Sequence, residues 1–127
     1  MIKSFFIFFV LLFFTGCSSA QSANMVLPVV FKMQIDTIQE HILLDVRTAA
    51  EFSSGHIENA INMDWNSADF EQKMKQLNPN KTVLIYCFSG ARSKQAAELM
   101  RLKGFKTIYE LEGGIQAWKK SDFPVFP

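Results

Sequence analysis

The sequence predicts an α/β fold, a parallel sheet of four or five strands with helices on both faces, because short apolar runs alternate with helical patterns along the chain. Two of these runs, 41–46 and 82–86, are mainly apolar, which is typical of central strands buried on both sides. Segment 93–103 places apolar residues three or four positions apart, the spacing of a helix that packs by one face.

The predicted elements follow one another in a single domain, without an internal repeat. The strands are predicted at 41–46, 60–63, 82–86 and 107–111. The helices are predicted at 28–35, 49–53, 69–77, 93–103 and 115–120. Gly55 and Gly104 follow two of these helices, and Asn78-Pro79 follows a third, as expected of residues that end a helix.

The N-terminus has the pattern of an export signal. Lys3 precedes the apolar run Phe5–Phe14, which has the length of a signal peptide and is short for a membrane span. The next residues, Thr15-Gly16-Cys17, resemble a bacterial lipobox, although Phe and Thr stand where Leu and Ala or Ser are commonest. The resemblance implies a lipid on Cys17 and a bacterial membrane address facing the periplasm or the cell exterior. An ordinary cleaved signal and an uncleaved anchor are the alternatives.

We therefore expect a signal peptide at 1–16, a lipidated N-terminus with a polar tether at 17–27, and one domain at 28–127. Of the 13 Lys and Arg residues, Lys3 falls in the signal, which leaves 12 basic against 12 acidic residues. This balance argues against a nucleic-acid partner, and it makes the lipid on Cys17, not a basic patch, the expected membrane contact. We expect a monomer.

The segment 87–92, Cys-Phe-Ser-Gly-Ala-Arg, is the strongest functional signal in the chain. It places a thiol between a strand and a helix, where unpaired backbone N–H groups favour the thiolate. Gly90 allows the backbone to curl, and Arg92 adds a fixed cation. With Cys17 assigned to the signal, Cys87 has no disulfide partner, which favours a reactive thiol over a buried, inert cysteine.

Four ordered motifs over residues 28–120 make the chain resemble the rhodanese (sulfurtransferase) family. They are Leu43–Thr48, the stretch from Glu51-Phe52 to Ala60-Ile61-Asn62, the Cys87 loop, and the stretch from Glu112-Gly113-Gly114-Ile115 to Ala117-Trp118. The resemblance implies a rhodanese-like fold and an enzyme of the thiosulfate sulfurtransferase kind. Its thiolate takes a sulfane sulfur from thiosulfate, a polysulfide or a protein persulfide, and passes it to a thiol or cyanide.

The loop residues are the expected binding site for the anionic persulfide. Its N–H groups would stabilise that anion, which makes Phe88, Ser89, Gly90 and Ala91 the substrate-binding residues. Arg92 is expected to be catalytic, as a stabiliser of the thiolate and a donor to an oxyanion. The alternative for Arg92 is a salt bridge that holds the shape of the loop.

Other motif residues are expected to support the site. Asp45 and Arg47 follow a strand and should share the edge of the sheet where Cys87 lies, with structural roles in hydrogen bonding. His56 is expected in a turn and Trp118 in the core. The two histidines lack metal-ligand spacing to each other or to the cysteine, so we expect no metal and no cofactor.

Two other classes of protein compete with the sulfurtransferase. Cysteine phosphatases of related fold carry His-Cys, five residues and Arg, whereas here Tyr86 precedes the cysteine and four residues separate it from the arginine. A rhodanese-type binding module often lacks the cysteine that this chain retains. Relatives frequently carry Arg or Lys directly after the cysteine, and Phe88 in its place predicts poor use of the dianion thiosulfate.

Overall fold

The computed structural model describes residues 24–127, in which five strands alternate with five helices. The strands are β1 (Asn24–Val26), β2 (His41–Asp45), β3 (Ile61–Asn62), β4 (Thr82–Tyr86) and β5 (Ile108–Leu111). The helices are α1 (Pro28–Thr37), α2 (Ala49–Ser53), α3 (Phe70–Met74), α4 (Ala91–Leu102) and α5 (Gly114–Lys120). Across 24–127, no helix combines the length and the apolar character that crossing a membrane requires.

The strands form one sheet in the order β1-β5-β4-β2-β3, and all neighbours are parallel. Strands β2 and β4 pair over their whole length, from His41 opposite Thr82 to Asp45 opposite Tyr86. Their continuous apolar sequences are explained by this central position, because helices cover both faces of a parallel sheet. The predicted α/β architecture is confirmed.

Two hydrophobic cores lie on opposite faces of the sheet, since successive side chains of a strand point to opposite sides. On β4, Val83 and Ile85 join the core that α3 and α4 cover. Leu84 and Tyr86 join the other core, which receives Trp118 from α5 and a buried phenylalanine from α1. Trp118 is buried, as the sequence analysis expected.

Strand β1 lies within residues 17–27, the predicted lipidated N-terminus and polar tether. Asn24 pairs with Tyr109 and Val26 with Leu111, so the sheet begins before the predicted domain boundary at residue 28. Three residues are too few for an alternating pattern to emerge, and it is pairing with β5 that makes them a strand. Residues 1–23, with the predicted signal, Cys17 and most of the tether, lie outside the described part.

Helix α4 begins at Ala91, two residues before the predicted start. Gly90 is its N-cap, with a positive φ of 116° that turns the chain from the loop directly into the helix. Ala91 and Arg92 are therefore residues of the first helical turn instead of loop residues. Helix α3 is shorter than predicted because after Met74 the chain continues in tight turns, with Leu77 N–H donating to the Met74 carbonyl over 3.0 Å.

Candidate active site

The carboxyl ends of β2 and β4 bring Asp45, Arg47 and Cys87 to one edge of the sheet. The Val46 N–H donates to the Tyr86 carbonyl over 3.0 Å and so extends the pairing one residue beyond both strands. Because the strands are parallel and in register, residues that follow them must emerge side by side. The expectation that these three residues share an edge agrees with this arrangement.

Cys87 lies under the loop, with 1% of its surface exposed. The Gly90 N–H donates to the Cys87 Sγ over 3.1 Å. The Sγ of the thiol donates to the Ser93 Oγ over 3.5 Å, and the Ser93 hydroxyl donates to the Gly90 carbonyl over 3.1 Å. When the thiol ionises, that hydroxyl is close enough to turn and donate to the sulfur. The first turn of α4 therefore provides neutral donors for a sulfur anion.

The pKa of Cys87 is lowered although burial acts against the thiolate. Burial alone would raise this pKa, but the hydroxyl and N–H of Ser93 and the N–H groups of Gly90 and Ser89 favour the anion and outweigh it. All the groups that act most on the thiol are neutral. These donors distinguish Cys87 from a buried cysteine in apolar surroundings, because they favour the thiolate over the thiol.

Helix α5 supports the loop from beneath. The N–H groups of Ile115 and Gln116 donate to the carbonyls of Cys87 and Phe88 over 2.9 and 3.2 Å. Gly114 makes this approach possible, because a Cβ there would lie 2.4 Å from the Phe88 carbonyl oxygen. With its backbone held on this side, the loop directs its N–H groups towards the sulfur.

Asp45 and Arg47 form a buried ion pair beside the loop. The Arg47 Nη2 donates to one Asp45 oxygen over 2.7 Å, and its Nε donates to the other over 3.0 Å. The same Nη2 donates to the Gly55 carbonyl over 2.8 Å. The pair joins the end of β2 to the segment after α2, and the structural role expected for both residues stays a prediction.

Arg92 pairs with Glu51 of α2. Its Nη1 and Nη2 donate to the Glu51 Oε1 and Oε2 over 2.7 and 3.0 Å, in a bidentate arrangement. Mainly because of this bond, the pKa of Glu51 is lowered to about 2, and the pKa of Arg92 is raised. Both terminal nitrogens of Arg92 are thus engaged by a protein carboxylate, the salt bridge that the sequence analysis named as the alternative role.

The other predicted binding residues surround the sulfur unevenly. Phe88 has 44% of its surface exposed at the outer side of the loop. Gly90 and Ser89 provide the N–H groups that act on the thiol. Ala91 is exposed at the start of α4 and makes no polar side-chain contact. The structure therefore brings the backbone of the loop, more than its side chains, to Cys87.

His56 follows the end of α2 and precedes the turn at residues 58–59, without itself lying in a turn. Its ring stacks on Phe52 at a centroid distance of 3.7 Å, and its backbone pairs with Phe126. Across 24–127, no group of three or more His, Cys, Asp or Glu side chains is arranged to hold a metal ion.

Three contributors to the site were not singled out from the sequence. The sequence marks Ser93 only as the start of a helix, and Glu51 and Gly114 only as parts of the motifs that resemble the rhodanese family. A serine in the first helical turn and a Thr48-x-x-Glu51 capping pattern are visible signals. The partners of Ser93 are local, whereas Glu51 and Gly114 meet Arg92 and Phe88 far along the chain, and only folding brings those together.

The comparisons with known proteins agree with this geometry. The family model described as a rhodanese-like domain matches residues 28–121. The chain therefore belongs to the rhodanese-like family, as a single rhodanese-like domain. At the family level it is a relative of sulfurtransferases.

Individual relatives point the same way. A protein of Allochromatium vinosum named sulfurtransferase is 33% identical over 87 residues, which cover 68% of this chain and 79% of that protein. The thiosulfate sulfurtransferase GlpE of Vibrio cholerae is 30% identical over 83 residues, covering 65% and 76%. Other relatives are longer: the chain covers 28% of the tRNA uridine(34) hydroxylase of Buchnera aphidicola. The crystal structure of a rhodanese-related protein from Thermoplasma volcanium matches with a TM-score of 0.72 and 30% identity, covering 81% and 97%.

Proposed function

We propose that the protein is an extracytoplasmic sulfurtransferase that carries a sulfane sulfur as a persulfide on Cys87. The observation that carries this proposal is the Cys87 sulfur at the N-terminus of α4, 3.1 Å from the Gly90 nitrogen and with a lowered pKa. Because the surrounding donors favour the thiolate, we propose that Cys87 attacks without a general base from the chain.

The proposed reaction has two half-reactions that share one covalent intermediate. In the first, the Cys87 thiolate attacks the outer sulfur of the donor, a bond between the two sulfurs forms, and the sulfur–sulfur bond of the donor breaks. Sulfite leaves if the donor is thiosulfate, and a thiol leaves if the donor is a persulfide. In the second, a thiolate or cyanide attacks the outer sulfur of the Cys87 persulfide, and the Cys87 thiolate is released.

The loop is suited to hold the intermediate. A persulfide is an anion near neutral pH, and its outer sulfur extends from Cys87 towards the N–H groups of residues 88–92. Fixed backbone dipoles stabilise such an anion without reorganising during the reaction. Ser89 and Gly90, whose N–H groups act on the thiol, are the first contacts we propose for the outer sulfur.

Persulfide detection tests the proposal most directly. Incubation of the purified protein with a sulfane sulfur donor should add the mass of one sulfur to the peptide containing Cys87, and a thiol or cyanide should remove it. Cys87→Ser should abolish both the added mass and sulfur transfer. Hydrolysis of aryl phosphates without a persulfide would indicate a phosphatase. Neither activity in a folded protein, over several donors, would indicate a binding module.

The proposed cellular location rests on the N-terminal sequence alone. We propose that residues 1–16 direct export and that lipid on Cys17 anchors the mature protein to a bacterial membrane. The expected result is partition into detergent and lipid attached to Cys17, with both lost in Cys17→Ala. Unchanged processing and membrane association in this variant would overturn the lipid anchor, and would leave the proposed chemistry at Cys87 untouched.

A further inference from the structure

Arg92, a cation close enough to the proposed nucleophile to interact with its charge, is already bound by a carboxylate of the same chain. Glu51 accepts from both terminal nitrogens of Arg92, and the two side chains are 33% and 25% exposed. The pKa of Glu51, lowered to about 2 chiefly by this hydrogen bond, keeps the carboxylate charged throughout the neutral range. An incoming anion would have to compete with a bidentate partner that is always present.

Glu51 is held in place from a second side. Its N–H donates to the Thr48 Oγ1 over 3.2 Å, and the Thr48 N–H donates to the Glu51 Oε1 over 3.4 Å, at the N-terminus of α2. This capping box fixes the carboxylate to the first turn of the helix. The carboxylate therefore cannot swing away from Arg92 without also breaking a helix cap.

Charges around the mouth of the loop do not favour a dianion. Arg92 is close enough to Glu51, Asp64 and the Cys87 sulfur for each of them to raise its pKa, so one cation faces two carboxylates. Lys94, the next cation along α4, instead acts on the buried Glu110 carboxyl. The exposed ring of Phe88 adds an apolar surface to the mouth.

We infer that Glu51 is a specificity-determining residue, which holds Arg92 away from the donor so that the site prefers a thiol-borne persulfide to thiosulfate. This inference rests on the proposed function and names its donor class. The Cys87 thiolate attacks the outer sulfur of R–S–SH, a new sulfur–sulfur bond forms, and the donor sulfur–sulfur bond breaks. The R–S⁻ that leaves takes up the proton that the transferred sulfur carried, so R–SH departs and Cys87 becomes a persulfide anion. This donor carries at most one negative charge, whereas thiosulfate carries two.

The test compares two donors on Glu51→Gln. Glutamine is accepted at this position of a capping box, so the variant removes the charge and keeps the helix cap. Glu40→Gln is the matched control, because it removes the same charge just before β2, at the opposite end of the sheet. The donors are thiosulfate and the persulfide of 2-mercaptoethanol, whose organic part is uncharged. Circular dichroism verifies that both variants fold.

Freeing Arg92 should raise kcat/KM for thiosulfate by about fivefold to twentyfold, equivalent to about 1 to 1.8 kcal/mol, because the cation attracts the dianion and solvent screens part of that attraction. The gain should appear mainly in KM and should shrink at high salt. The rate with 2-mercaptoethanol persulfide should change far less, and Glu40→Gln should change neither rate. A thiosulfate-to-persulfide ratio that stays the same, or equal losses with both donors, would overturn the inference.

Phe88→Arg is a second variant that tests whether a missing free cation at the mouth of the loop limits the use of thiosulfate. It adds an unpaired cation at the mouth, so thiosulfate use should rise by several-fold even with Glu51 intact. If Glu51→Gln fails to fold, the absence of a thiosulfate gain in Phe88→Arg overturns the inference instead. A wild-type protein that takes sulfur from neither donor and forms no persulfide would contradict the proposed function itself, which is a separate outcome.

Discussion

Two arginine–carboxylate pairs lie at the active edge of the sheet, and they differ in burial. The side chains of Arg47 and Asp45 are 3% and 0% exposed, whereas those of Arg92 and Glu51 are 25% and 33% exposed. Both are bidentate, so hydrogen-bond geometry does not separate them. Water reaches the Glu51–Arg92 pair and not the Asp45–Arg47 pair. This difference in solvent access determines how much each pair contributes to stability.

A buried pair is difficult to break, because either partner left alone is an uncompensated charge in a medium of low dielectric. A pair that water reaches contributes little stability, since solvent screens the attraction and solvates either partner after a substitution. The Asp45–Arg47 pair is thus suited to hold the frame of the site. The Glu51–Arg92 pair is suited to adjust the charge that a substrate meets.

The largest effect is expected from breaking the buried pair. Asp45→Asn keeps the shape of the side chain but leaves the Arg47 charge unpaired, which should lower the free energy of unfolding by about 3–5 kcal/mol. Urea unfolding measures it. The double variant Asp45→Asn/Arg47→Met removes the unpaired charge and should recover part of the loss. A cost for Asp45→Asn as small as that of a surface substitution would show that burial does not distinguish the two pairs.

A smaller effect is expected on the pKa of Cys87, which neutral donors and not the Arg92 cation mainly lower. Ser93→Ala removes a hydroxyl and should raise this pKa, so that alkylation by iodoacetamide slows several-fold at neutral pH. Glu51→Gln frees the Arg92 charge and should lower the same pKa slightly. The pH profile of the alkylation rate measures both shifts. Shifts in the same direction would contradict this division of roles.

The smallest effect is expected on stability when the partly exposed Glu51–Arg92 pair is broken. Glu51→Gln should lower the free energy of unfolding by less than about 1 kcal/mol at neutral pH. Because the pKa of Glu51 falls from 4.5 to about 2 on folding, its stabilisation is fully present above pH 4.5 and is lost as the pH falls towards 2. The difference between wild type and variant in urea unfolding should follow that window. A large cost at neutral pH would give this pair a structural role instead.

Much of the fold and the position of the nucleophile could be predicted from the sequence. Apolar runs at 41–46 and 82–86 predict central parallel strands because their residues must be buried on both faces. A cysteine directly after such a strand, followed by Gly90 and a helical pattern, already places a thiol at a helix N-terminus. These are local properties, carried by residues that are neighbours along the chain.

Tertiary structure alone decided which groups meet. Strand β1 forms because it pairs with the neighbouring strand β5, with Val26 opposite Leu111. Its three residues are too few to show the periodicity from which a strand is predicted. Glu51 and Arg92 lie 41 positions apart, and either could have faced solvent or another partner. The sequence determined that Arg92 would stand beside the Cys87 loop. Only the packing of α2 against the start of α4 decided that Glu51 would neutralise the Arg92 charge before any substrate arrives. The strength of an ion pair depends on distance and solvent access, and neither is a property of a residue in isolation.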